Sequence, residues 1–418
     1  MTTPLNADAP GKIRVGVIGA GQLARMMVPP AIHLGLDISV LAEGPNMSAA
    51  RAADAEGDYR DLETVREFAK TVDVVTFDHE HVPTAILEAL ESDGVRVHPT
   101  PAALQYAQDK ILMRQKLTEI GAPVPEWASV SDPDELTAFI AEHGGRAVVK
   151  TARGGYDGKG VRVVSSAAEV ADWFAALANT DTEKAENEPG QAAQALLVEE
   201  LVDFTRELSQ LVARRPSGEI AAWEVVETVQ RDGVCAEVVS PAVARTANEQ
   251  TAAAQTAKPS ASNSQNTALA DTARSIGEQI ATGLGVTGVM AVEMFETADG
   301  RLLVNELAMR PHNSGHFSIE GSITSQFEQH LRAVTDLPLG STAATAKVAV
   351  MINVLGGPAE GPMPVRYGKA LAAFPRAKFH SYGKDPRPGR KVGHVTVTGS
   401  DLAETLDYAR AAAAVFNN

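Results

Sequence analysis

The sequence predicts a doubly wound α/β domain followed by two α+β lobes and a small β-rich unit. Three stretches predict it. A short apolar strand, IRVGVI (13–18), runs straight into a glycine turn and helix, GAGQLARMM. A glycine-dense hairpin, GGYDGKG (154–160), follows a strand that carries a lysine. A second hairpin, Val289 to Phe295 with Arg301 to Leu307, has one glutamate on each arm. The expected units are 1–120 (substrate domain), 121–215 (glycine-loop lid), 216–345 (main lobe) and 346–418 (β-rich unit). At 418 residues the chain is long enough for several cores.

Composition narrows the functions. With 37 basic against 53 acidic residues and a net charge of −16, a broad nucleic-acid footprint is excluded, while a small local site for a phosphate is not. Cys235 is the single cysteine, so no intramolecular disulfide and no cysteine metal cluster can form. The opening residues, MTTPLNADAPGK, lack the pattern of a signal peptide, and no run is apolar enough to span a membrane. The expectation is a cytoplasmic protein.

In the first unit, Gly19 and Gly21 permit a turn that aims backbone N–H groups at an anion. Ala24 replaces the third glycine of a dinucleotide fingerprint, so the turn reads as tight packing, as a phosphate site, or as a weak NAD signal with Glu43 as ribose acid. The strand DVVTFDHEHVP ends on Asp78, His79, Glu80 and His81, and strand C-termini are where open α/β sheets bind ligands. The two histidines read as loop residues or metal ligands, and Glu80 as a substrate contact. One more strand follows, and then a helix from about Pro101 to Ile120 that Gly121 stops.

In the second unit, the strand RAVVKTA carries Lys150 towards the glycine hairpin, whose N–H groups can wrap phosphates with Lys159 at the tip. It is no Walker loop, because no GKS or GKT opens a helix. The segment ALLVEELVDFTRELSQLVARR gives two strands, the first ending on Glu199, Glu200, Leu201 and Val202. An acid beside apolar backbone there can hold an adenine edge, or simply be solvated. Residues 216–243 continue a sheet, and 245–267, biased to Ala, Gln, Thr, Ser and Asn, carries no chemistry. An amphipathic helix, LADTARSIGEQIATGLGV, leads to the glutamate hairpin.

Asp299-Gly300 suits a two-residue type I′ turn. That turn pairs Phe295 with Val304 and Glu293 with Glu306. Two carboxylates directly opposed repel. A cation relieves this, and an oxygen-only pair suits Mg²⁺ or Mn²⁺. A register one residue off would leave one glutamate solvated instead. Beyond the hairpin a helix spans FSIEGSITSQFEQHLRAVTDLPLG, and the last unit holds short strands, a closing helix and the basic run Lys384 to Lys391, a phosphate site or a solvated loop.

Together these features resemble the ATP-grasp superfamily. GAGQLARMM, GGYDGKG, NELAMRPHNSGHFSIE with TSQFEQHLRAV, and YGKDPRPGRKVGH resemble, more closely, the N5-carboxyaminoimidazole ribonucleotide synthetase family. The resemblance implies ATP-dependent carboxylation of 5-aminoimidazole ribonucleotide with bicarbonate, with ATP and Mg²⁺ (or Mn²⁺) and a homodimer. It implies ATP contacts by Lys110, Lys150 and the lid Gly155, Tyr156, Asp157, Gly158, Lys159, Gly160 and Val161. It further implies adenine contacts by Glu199, Glu200, Leu201 and Val202, ribose contacts by Glu207, and Mg²⁺ on Glu293 and Glu306 beside Asn305. Gln22, Glu80, Tyr156, Arg390 and Lys391 would bind the ribonucleotide. Asp157, Lys384 and Arg310 would serve catalysis. Gln230 stands where the family commonly has a histidine near the nucleotide, which puts that contact in doubt. Ala308 replaces an asparagine ligand of many other ATP-grasp enzymes. Two rivals stand: a formate-dependent glycinamide ribonucleotide formylating enzyme, and a non-catalytic ATP-sensing module.

Overall fold

A computed structural model describes residues 13–154, 160–178, 195–231, 233–243, 263–358 and 360–416. The N-terminal domain is a parallel sheet of β1 (Arg14–Ile18), β2 (Asp37–Ala42), β3 (Ala53–Glu56) and β4 (Val74–Phe77), ordered β3-β2-β1-β4. The apolar β1 and β4 are buried along nearly their whole length, as parallel strands covered on both faces must be. Val95 to His98 adds only a bridge, Val75 to Val97, where a further strand was expected. The expected helix over 101–120 is two helices, Pro101–Gln108 and Lys110–Glu119. Asp109 is extended between them, and its carboxylate caps the second through the N–H groups of Ile111 and Leu112.

A second sheet holds β5 (Trp127–Val130), β6 (Ala147–Thr151), β7 (Val161–Val164) and β8 (Leu196–Glu200), ordered β5-β8-β6-β7. β6 and β7 are the two arms of the glycine hairpin, with Lys150 opposite Val161. The large antiparallel sheet joins β9 (Phe204–Arg214), β10 (Ile220–Ala222), β11 (Val226–Arg231), β12 (Val234–Ser240), β13 (Gly288–Thr297), β14 (Leu302–Ala308), β15 (Val348–Leu355), β16 (Lys378–Ser381) and β17 (Lys391–Gly399). Its order is β14-β13-β9-β11-β12-β15-β17-β16, with β10 beside β9. The boundary expected at 215 therefore falls at the end of a strand of this sheet, and β15, just after 345, joins it through β12.

Downstream of the hairpin, helix forms only over Ser318–Gly321 and Gln326–Val334. The second of these packs against both the helix Gln22–Leu34 and β13. His330 fastens it: Nε2 bonds Thr76 Oγ1 at 2.8 Å, and Nδ1 accepts from Val289 N at 3.0 Å. Phe327 and Tyr382 pack against Leu23, Met26 and Met27, which brings the last unit against the first turn of the N-terminal domain.

Candidate active site

The glutamate hairpin closes differently from the expected turn. Gly300 N donates to Thr297 O and Thr297 N to Arg301 O, so the loop has three residues, with Gly300 left-handed at φ 80°. Near the turn the pairing is accordingly one residue off: Phe295 faces Leu303, not Val304. A bulge then inserts Asn305 in β14, and beyond it Glu293 does face Glu306. A regular ladder would have set Glu293 opposite Asn305 and turned Glu306 to the other face. Two irregularities thus produce the pair that the sequence reading reached from a simpler turn.

The two opposed carboxyls share a half-buried, acidic setting. Burial, then the neighbouring Glu306 and Glu207, push Glu293 up to about 8. Glu207, opposite Phe295 on β9, is raised by burial to about 7. His312 Nε2 lies 3.4 Å from Glu293 Oε1, and burial drives this imidazole down to about 3, so it is neutral. Its Nδ1 accepts from Ser314 N at 3.3 Å, which puts the ring proton on Nε2, facing the carboxylate. Among the described residues no cluster of three or more His, Cys, Asp or Glu could hold a metal. Two carboxylates suffice for Mg²⁺, which typically completes its shell with water and substrate phosphates, so the donors present fit it.

Around the pair stand the lysines. Lys150 Nζ bonds Glu199 Oε2 at 2.7 Å and Asn305 Oδ1 at 3.0 Å. Lys110 opens the helix Lys110–Glu119, with Nζ 2.8 Å from Gly154 O; burial lowers its pKa, and the Glu306 charge acts against that. Glu199 is turned inward rather than towards a ligand edge. Burial alone would raise its pKa, but Arg114 and Lys150 together hold it below the usual carboxylate range. Glu200 Oε1 accepts from Glu126 N at 3.0 Å, while Leu201 is 39% exposed and Val202 half-buried. Gln230 sits half-buried at an irregularity of β11, opposite Cys235. Gly160, left-handed at φ 73°, and Val161, 37% exposed, close the lid hairpin; Gly155, Tyr156, Asp157, Gly158 and Lys159 lie outside the described residues.

A second group lies where the first and last units meet. Arg310 was expected to share a strand face with Glu306, but β14 stops at Ala308. Its guanidinium nevertheless acts on Glu293, and its Nε pairs with buried Glu80 Oε2 at 2.7 Å. Lys384 Nζ donates to Gln22 Oε1 at 2.8 Å. Lys391, at the start of β17, lowers the pKa of Glu293, and Arg390 Nη1 donates to Asp385 O at 3.2 Å. Of the expected ribonucleotide residues, Glu80 is bound to Arg310 and Gln22 to Lys384, Arg390 contacts its own loop, and Tyr156 lies outside the described residues.

The structure decides between alternatives left open in the first domain. The N–H groups of the glycine turn do not await a dinucleotide: Ala24 N donates to Asp78 Oδ1 at 2.6 Å, and a Cβ on Gly21 would lie 1.9 Å from Asp78 Oδ2. His79 is packed against Tyr59, with ring centroids 4.7 Å apart, and burial takes it down to about 3. It is a packing residue. Sequence reasoning passed over Arg114, which reads as one more charge on a polar helix, and His312, whose only signal is its place in RPHNSGH.

Comparisons with known proteins agree along the chain. The ATP-grasp domain model matches residues 115–261 and 257–327. The ribonucleotide synthetase preATP-grasp domain matches 12–108, and the phosphoribosylaminoimidazole carboxylase C-terminal domain matches 349–408. The chain is 49% identical over 403 residues to the N5-carboxyaminoimidazole ribonucleotide synthase of Mycobacterium tuberculosis, covering 96% of this chain and 86% of that protein. It is 44% identical over 414 residues to the synthase of Corynebacterium ammoniagenes, covering 97% and 92%. The Aspergillus clavatus N5-carboxyaminoimidazole synthase, solved with ADP and 5-aminoimidazole ribonucleotide, superposes with a TM-score of 0.79 at 29% identity, covering 97% of this chain and 98% of that one.

Proposed function

We infer the roles of individual residues from one premise: the chain belongs to the N5-carboxyaminoimidazole ribonucleotide synthase family of ATP-grasp ligases. Its reaction is the ATP- and bicarbonate-dependent carboxylation of 5-aminoimidazole ribonucleotide to N5-carboxyaminoimidazole ribonucleotide, through carboxyphosphate, in purine biosynthesis. Bicarbonate is a poor electrophile, so phosphorylation must precede attack by the amine. The protein's work is then positioning and charge neutralisation.

The observation that carries our assignment is the opposed pair Glu293 and Glu306, with Lys150 bonded to the intervening Asn305. Glu293 and Glu306 would hold Mg²⁺, which when bound supplies positive charge to the phosphates of ATP. Lys150 and Lys110 would take phosphate oxygens as point charges, and residues 155–161 would cover them. Glu207 would take the ribose hydroxyls, and the 201–202 backbone the adenine edge. On the ribonucleotide side, Arg390 and Lys391 suit the 5′-phosphate. Arg310, held by Glu80, would face the transferring group, and Lys384, held by Gln22, would orient bicarbonate or the amine together with Asp157. A cytoplasmic homodimer is the state this reading implies. Among the described residues no helix is long and apolar enough to cross a membrane.

Phosphate release from ATP tests the reading. It should require aminoimidazole ribonucleotide with bicarbonate and be absent with glycinamide ribonucleotide and formate. The reverse would turn the reading to formylation, and no release with either pair would leave a sensing module.

A further inference from the structure

Arg114 lies mid-helix in KILMRQKLTE, yet its side chain is wholly buried. A buried guanidinium is costly unless its geometry is well matched, so its partners indicate what it is kept for. Nε pairs with Glu199 on β8, and Nη2 donates to the carbonyl of Asn305 at 2.7 Å. The other oxygen of Glu199 holds Lys150, and Lys150 returns to the Asn305 side chain. The four residues close a ring, and two of its contacts end on one residue.

That residue is the extra one in β14. A bulge leaves its inserted residue unpaired in the ladder, and here Arg114 supplies a partner for the carbonyl while Lys150 supplies one for the amide side chain. We propose that Arg114 is a positioning residue for the Glu293 and Glu306 pair: by holding the Asn305 carbonyl it keeps the bulge, and the bulge keeps Glu306 on the face of Glu293. Without that anchor the ladder is free to run regularly from the turn, which puts Asn305 opposite Glu293 and takes Glu306 to the far face. The anchor also ties metal-pair register to the lid sheet, since Glu199 belongs to β8. This inference rests on the assignment of the cation to that pair.

The test uses the full-length protein and two variants. Arg114→Lys keeps the charge but loses the planar fork. The double variant Arg114→Met with Glu199→Gln removes both charges together, so that no orphaned carboxylate unfolds the site. Amide hydrogen exchange over residues 302–308 is followed without metal, and Mn²⁺ affinity is titrated by electron paramagnetic resonance in the presence of ADP. In both variants exchange at 304–307 should accelerate, and Mn²⁺ affinity should fall by about 10- to 100-fold, as for other residues that hold metal ligands in place. In Arg114→Lys, ADP affinity without metal should change little. Unchanged protection in both variants overturns the proposal. So does weakened Mn²⁺ binding with unchanged protection, because charge rather than register would then carry the effect. Wild-type protein that fails to bind Mn²⁺ with ADP would sink the cation assignment instead, while the exchange measurement still judges Arg114.

Discussion

Glu306 and Glu293 are equivalent on paper and not in the fold. Replacing Glu306 with Gln should lower turnover on the order of 100-fold or more with the fold intact, and wild-type rates at saturating Mg²⁺ would remove the pair from the mechanism. Glu293 adds a pH dependence whose sign follows from its raised pKa. In the metal-free fold it keeps its proton up to about 8, against an ordinary 4.5. A carboxyl that binds its proton more tightly folded than unfolded contributes stability below its ordinary value, and that contribution is lost as pH rises through the folded value. The contribution of Glu293, read as the difference in melting temperature between the wild type and Glu293→Gln without metal, should therefore shrink between pH 4.5 and about 8; buried His312 and His79, held down at about 3, act on the whole protein in the opposite sense up to the ordinary imidazole value. Mg²⁺ with a nucleotide should oppose that loss. Thermal unfolding of both proteins across this range, with and without Mg²⁺, measures it, and a metal-free difference that grows towards pH 8 would contradict the electrostatics described for Glu293. Residues of this kind were readable from the sequence because two acids on facing arms of one hairpin are a local pattern. Arg114 was not, because nothing in KILMRQKL distinguishes a buried arginine from a solvated one.

Among the elements, the hairpin β13–β14 shows how a correct pair can be reached through the wrong turn. The dipeptide Asp299-Gly300 announced a tight connection, but left-handed Gly300 closes a three-residue loop, and only the bulge at Asn305 recovers the pairing. A bulge has no local sequence signature, since it is decided by partners as distant as Arg114 and Lys150. A Cβ at Gly300 would meet nothing within 4 Å, so Gly300→Ala costs only the left-handed backbone, about 1 to 2 kcal/mol. Denaturant unfolding should register that loss with Mn²⁺ affinity unchanged, because the bulge lies beyond the turn. A matching fall in affinity would mean that turn and bulge are coupled. The glycine hairpin, by contrast, was legible as two paired arms, because β6 and β7 are close in sequence and differ in composition from the loop between them.

Over the whole molecule, what the sequence could not show is that the last unit adds strands to the sheet that carries the glutamates. β12 and β15 pair across more than a hundred residues, and no local pattern encodes a partner that remote. That continuity delivers Lys391 to the neighbourhood of Glu293, and the loop before it delivers Lys384 to Gln22. Lys384→Met should spare ATP binding and abolish carboxylation, by calorimetry with the nucleotide against product formation; an unchanged rate would exclude it from the site. One more consequence follows from the first turn of the N-terminal domain. Asp78 accepts the N–H of Ala24 at the start of the helix Gln22–Leu34, the end of a helix that draws anions, and leaves no room for a Cβ on Gly21. The turn carries a resident counter-ion, tethered by its own chain and present in every molecule. An incoming phosphate would have to compete with it for the N–H of Ala24, so a glycine in place of Ala24 would not by itself free the turn.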